Sequence, residues 1–88
     1  MDTRTVTIVN ALGLHARAAA KFVHHASQFK CHIRITRGSR TVDGKSILGL
    51  LLLAAPRGAA LDIAADGPDA AAALDALSAL IARGFDDA

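Results

Sequence analysis

The apolar residues of this chain keep changing their spacing, and each change marks a place where one kind of backbone must give way to another. Over residues 3–9 they alternate, with Arg4, Val6 and Ile8 on one side and the threonines and Val9 on the other, the period of a strand. Over residues 16 to about 29, Ala19, Phe22, Val23 and Ala26 recur three and four apart, while Arg17, Lys21, His24 and Gln28 take the opposite side, as in an amphipathic helix. Residues 31–37 and 40–42 are β-branched runs parted by Gly38-Ser39, a pair suited to a type II′ hairpin turn. Asp43-Gly44 then turns the chain into residues 47–55. This apolar run is too long to be all strand and ends at Pro56, so a short helix capped by Ser46 is expected. Residues 59–65 alternate again and close on Asp66-Gly67. Pro68 opens a last helix to about residue 83, with Ala70, Ala73, Leu74, Leu77, Leu80 and Ile81 as its buried stripe and Gly84 just past its end.

The resulting order, βαββαβα, predicts a two-layer α+β sandwich in which three helices cover one face of a largely antiparallel four-stranded sheet. Thr5, Thr7, Arg34 and Thr36 belong on the other face. One domain over residues 1–88 is expected, because 88 residues supply a single core. That core must be thin: 52% of the residues are hydrophobic, yet the aromatics are three Phe with no Tyr or Trp, leaving Leu, Ile, Val and Ala to fill it.

Composition also narrows the partners. Cys31 has no second cysteine to pair with, which points to a reducing compartment and so to the cytoplasm. Met1-Asp2-Thr3-Arg4-Thr5 is polar where a signal peptide would be apolar, and no apolar run approaches the roughly 18 to 20 residues of a membrane span. The formal charge is only +2 and the basic residues are scattered, so neither nucleic acid nor membrane is an expected partner, and a monomer is expected.

The stretch that carries chemistry is Gly13-Leu14-His15-Ala16-Arg17, where a turn meets a helix start. A helix N-terminus presents unpaired N–H groups and the positive end of the macrodipole, so an anion attached to His15 would meet ready-made donors, with Arg17 as mobile counter-charge. The same residues would equally describe a histidine that merely caps a helix in a small regulatory or ligand-binding domain. His24, His25 and His32 have no i, i+4 pairing and no carboxylates nearby, so no metal site is expected. Paired catalytic carboxylates, a nucleophilic serine motif and a glycine-rich phosphate cradle are absent from the sequence.

Thirty residues on stands Asp43-Gly44-Lys45-Ser46-Ile47-Leu48-Gly49-Leu50. The two motifs, their separation, the length and the element order resemble HPr, the histidine phosphocarrier family of the bacterial phosphotransferase system, whose fold is an open-faced βαββαβα sandwich. The resemblance implies a relay rather than an enzyme. His15 would accept a phosphoryl group on Nδ1 from phosphorylated Enzyme I and pass it to an EIIA-type acceptor domain. The group would come ultimately from phosphoenolpyruvate, and no cofactor is implied. Arg17 and the backbone N–H groups of Ala16 and Arg17 would stabilise it.

By the same resemblance Ser46 matches a serine that HPr kinase/phosphorylase modifies in many members, although its value as a helix cap explains it as well. Ala20, Lys21, Lys45, Ile47, Leu48 and Leu51 match positions of a partner-docking patch, an apolar surface rimmed by positive charge. The chain departs from the common pattern at Ala18, where most members have proline. The ending Gly84-Phe85-Asp86-Asp87 is similar to carriers of the nitrogen-related branch.

Overall fold

A computed structural model describes residues 1–86; of the acidic ending, Asp87 and Ala88 lie outside the described residues. The chain runs through β1 (Asp2–Thr7), α1 (Ala16–Ala26), β2 (His32–Arg37), β3 (Arg40–Asp43), α2 (Ile47–Leu52), β4 (Ala60–Asp66) and α3 (Ala70–Ala82), followed by a left-handed turn at Gly84–Asp86 (φ 66, 58 and 59). The strands form one open sheet in the order β1-β4-β2-β3, every neighbouring pair antiparallel. The expected βαββαβα sandwich is the observed fold.

The alternation read from the sequence assigns the two faces correctly. Ile33, Ile35, Leu61, Ile63 and Ala65 are buried under the helices, whereas Thr5, Thr7, Arg34 and Asp62 are exposed on the open side, where the Thr5 hydroxyl donates to the Asp62 carboxylate at 2.7 Å. Arg4 pairs with Ile63 in register and therefore leaves the helix-side face at the sheet edge, where its guanidinium meets Asp75 of α3 at 2.9 Å. The helices contribute Ala18, Ala19, Phe22 and Ala26 from α1, Leu50 from α2, and every residue of the stripe expected on α3. Phe85, beyond α3, is also fully buried. Burying an aromatic ring of that size contributes on the order of 2 kcal/mol, so Phe85 anchors the turn to the core.

β1 ends at Thr7, two residues short of the expected strand, and three helix boundaries move, each for a local reason. Residues 27–29 tighten into a turn in which the N–H groups of Gln28 and Phe29 donate to carbonyls three residues back, and the Phe29 carbonyl accepts from the Lys45 ammonium at 2.7 Å. α2 stops at Leu52 because Ala54 enters the left-handed region (φ 49) and turns the chain toward β4. The carbonyls exposed by that turn are met by two arginines from the β2–β3 hairpin: Arg40 donates to Leu52 at 2.6 Å, and Arg37 donates to Leu53 and Ala54 at 3.0 and 3.2 Å. Two cations thus sit at the negative end of a helix, where they are favourable. α3 begins at Ala70, with Pro68 in the turn before it.

Asp69, at the N-cap position of α3, does not cap its own helix with its side chain. Its carboxylate instead accepts from the N–H groups of Lys30 and Cys31, at 2.7 and 2.9 Å, and so ties the α1–β2 connection to the start of α3. These bonds, the one from Lys30 foremost, hold the Asp69 carboxyl below the ordinary carboxylate range. Among the described residues no helix is long and apolar enough to cross a membrane.

Candidate functional site

His15 leaves a loop that is fastened at both ends. Gly13 adopts φ +66, and a β-carbon there would run into the Ala55 carbonyl oxygen and lie 2.9 Å from the Pro56 Cα, so the position accepts only glycine without rearrangement. The Gly13 N–H donates to the Asn10 carbonyl (3.1 Å), and the next residue, the buried Leu14, donates its N–H to the Ala55 carbonyl (2.9 Å). His15 follows as the N-cap residue of α1, in extended backbone (φ −78, ψ 177), and its carbonyl accepts the first intrahelical bond, from Ala19 at 2.8 Å.

The His15 side chain makes no capping hydrogen bond. This observation weighs against the histidine-as-cap reading, because an N-cap side chain stabilises a helix by accepting from the N–H groups of the first turn. Helix geometry gives the N–H groups of Ala16, Arg17 and Ala18 no intrahelical acceptor, and the first turn of α1 holds no acidic residue. The half-buried imidazole and the exposed Arg17 open onto a depression of about 610 Å³.

The far wall of that depression was not legible in the sequence. It is formed by Arg83 and Gly84 at the end of α3, with Leu12 exposed in the loop beside them. Arg83 adds a second cation, which bonds Asp86 at 2.8 Å and holds that carboxyl below its ordinary range. Chain position gives no hint that residue 83 lies across from residue 15.

The other expected residues fall on two adjoining helices. Ala20 is exposed on α1; Ile47 and Leu48 on α2 are 43% and 70% exposed, while Leu51 is half-buried. α1 and α2, which carry these positions, pack against each other. Leu52, 55% exposed, extends the apolar surface beyond what the sequence reading included. Lys21 and Lys45 are not loose rim charges: the Lys21 ammonium donates to the Phe85 carbonyl at 2.7 Å, as Lys45 does to Phe29. Ser46 does cap α2, its Oγ accepting from the Gly49 N–H at 3.0 Å, and it does not line the His15 depression.

The sequence model of the family described as "PTS HPr component phosphorylation site" matches residues 2–83. This chain belongs to the HPr phosphocarrier family. Its relatives include the phosphocarrier protein HPr of Cupriavidus necator, 48% identical over 85 residues that cover 97% of this chain and 96% of that one. The phosphocarrier protein NPr of Shewanella violacea is 47% identical, over 97% and 93% of the two chains. Among solved structures, HPr-C-His from Thermoanaerobacter tengcongensis superposes with a TM-score of 0.96 at 38% identity, covering 100% of this chain and 99% of that one. In this chain the depression lies where the β1–α1 loop meets the turn that follows α3.

Proposed function

We propose that His15 is the phosphoryl acceptor of this carrier: it takes the group from phosphorylated Enzyme I and delivers it to an EIIA-type domain in the cytoplasm. The observation that carries the reading is the placement of an imidazole not used for capping at the start of a helix whose first-turn N–H groups have no intrahelical acceptor. A neutral imidazole is a nucleophile at physiological pH. With its proton on Nε2, the Nδ1 lone pair attacks the phosphorus of the donor's phosphohistidine. A P–N bond forms on His15 as the donor's P–N bond breaks, and that electron pair returns to the donor imidazole. The onward transfer is the same exchange in reverse, so the chain turns over no substrate of its own.

Charge in such a transfer resides on the equatorial phosphoryl oxygens. In this reading Arg17 and the N–H groups of Ala16 and Arg17 receive them, by electrostatic stabilisation without covalent participation. Ala20, Lys21, Lys45, Ile47, Leu48 and Leu51 serve as the docking surface, with Leu52 as its extension. Ser46 is a candidate for regulatory modification by HPr kinase/phosphorylase. A phosphate on its Oγ would retain acceptors for the Gly49 N–H while bringing nearly two negative charges onto that surface, so its effect would fall on partner binding rather than on the fold.

Incubation with Enzyme I and phosphoenolpyruvate tests the proposal. Acid-labile, hydroxylamine-sensitive phosphate is expected on His15 and is lost in His15→Ala; absence of labelling by a competent Enzyme I would sink it.

A further inference from the structure

We propose that Asn10 is the positioning residue of the phosphoryl-accepting loop, its carboxamide fixing the peptide from which the His15 ring departs. This inference rests on the reading of His15 as acceptor.

Asn10 is 8% exposed, and among the described residues no other polar or charged residue is buried. Burying a carboxamide is costly unless it is bonded, so its place in the interior calls for a task. Its Nδ2 donates to the Gly13 carbonyl at 2.7 Å. The same carbonyl accepts the backbone N–H of His15 at 2.9 Å. Two donors, one from the side chain of residue 10 and one from the backbone of residue 15, therefore converge on one oxygen. In return the Gly13 N–H donates to the Asn10 carbonyl at 3.1 Å, closing residues 10–13 into a turn bonded from both ends.

The turn is clamped from outside as well. On one side stand Ala55 and Pro56, against which Gly13 has no room for a β-carbon; on the other is Gly84, where a β-carbon would lie 3.4 Å from that of Asn10. The Gly13–Leu14 peptide can rotate only if the Asn10 bond to its carbonyl and the Ala55 bond to its N–H both give way, and its rotation would take from the His15 N–H the oxygen that it donates to. Asparagine suits the role because the bond needs a donor. Aspartate has the same shape, but its ionised carboxylate cannot donate and would bring negative charge toward a site that must hold a phosphoryl group.

The test is phosphoryl transfer from phosphorylated Enzyme I to Asn10→Ala and to the isosteric Asn10→Asp, with kcat and KM separated and the His15 ring nitrogens followed by NMR. Misplacement of a reacting group costs turnover, so kcat is expected to fall about tenfold to a hundredfold. KM should stay unchanged, since the docking residues on α1 and α2 are untouched, and the signals of Gly13, Leu14 and the His15 ring should shift while those of the sheet do not. If Asn10→Ala does not fold, Asn10→Asp, which keeps the volume, gives the same readouts. Unchanged kcat with unchanged ring signals in a folded variant overturns the inference, as does a loss confined to KM. Failure of transfer in the unaltered protein would instead overturn the acceptor assignment.

Discussion

A single methyl group at Gly13 would disturb two loops at once. Left-handed backbone at a non-glycine residue, together with contact against the Ala55 carbonyl and Pro56, gives an expected destabilisation of about 2 kcal/mol or more for Gly13→Ala. Urea unfolding measures it, and the Leu14 to Ala55 hydrogen bond should be lost in the same variant. Ala18 presents the opposite case. It precedes Ala19, whose N–H makes the first intrahelical bond, so a proline there removes no helical hydrogen bond. Ala18→Pro is expected to leave the melting temperature unchanged or to raise it slightly, as about 0.4–1 kcal/mol of unfolded-chain entropy is removed. A drop of several degrees would mean that the fully buried site has no space for the ring. The sequence shows why Gly13 must be glycine only in outline, since its turn is local but the carbonyl it abuts is some forty residues away.

Between elements, side chains act as ties that periodicity cannot reveal. The stripe of α3 was legible to the last residue because a helix with one face in the core repeats its needs every turn. The Asp69 tie was not, because a carboxylate beside Pro68 reads as an ordinary helix start, and only the fold brings Lys30 and Cys31 to it. The Arg37 and Arg40 bonds to the end of α2 escaped for the same reason: a basic pair flanking a hairpin turn reads as solvated charge. The Asp69 tie has a pH signature. Its carboxyl is held below its unfolded value, so the unfolded chain binds the extra proton as pH falls. The resulting stabilisation is complete above the unfolded carboxylate value, near 3.8, and disappears as pH drops through the lower folded value. Asp69→Asn should therefore lower stability at neutral pH and flatten its decline below about pH 4, as followed by unfolding across an acid series. Cys31 sits beside the same carboxylate, and burial chiefly, aided by Asp69, pushes its thiol up, which suits a structural rather than a reactive cysteine.

For the whole molecule, several cations are placed by the fold rather than left loose in solvent. Arg17 and Arg83 line the depression, while Lys21 and Lys45 are held in fixed positions by backbone carbonyls. If Lys21, Lys45 and the exposed Ile47 and Leu48 dock a partner as proposed, that partner is acidic and partly apolar, and encounter with it should be steered electrostatically. Transfer from Enzyme I at low carrier concentration is expected to slow as ionic strength rises, with kcat at saturation little changed; a rate indifferent to salt would count against a charged docking face. The fold, its faces and the placement of His15 at a helix start could be read from the chain because they depend on local period and motif. The wall that completes the site could not, because it depends on where the chain end returns.

β1 pairs with β4 across the full middle of the sequence, and Phe85 fills the core from beyond the last helix. A ribosome making this chain therefore exposes Val6, Ile8 and the apolar face of α1 long before their partners exist. Native packing cannot close until residue 85 has emerged, so the growing chain must stay soluble with its first strand unpaired, the state in which chaperones or neighbouring nascent chains would find it.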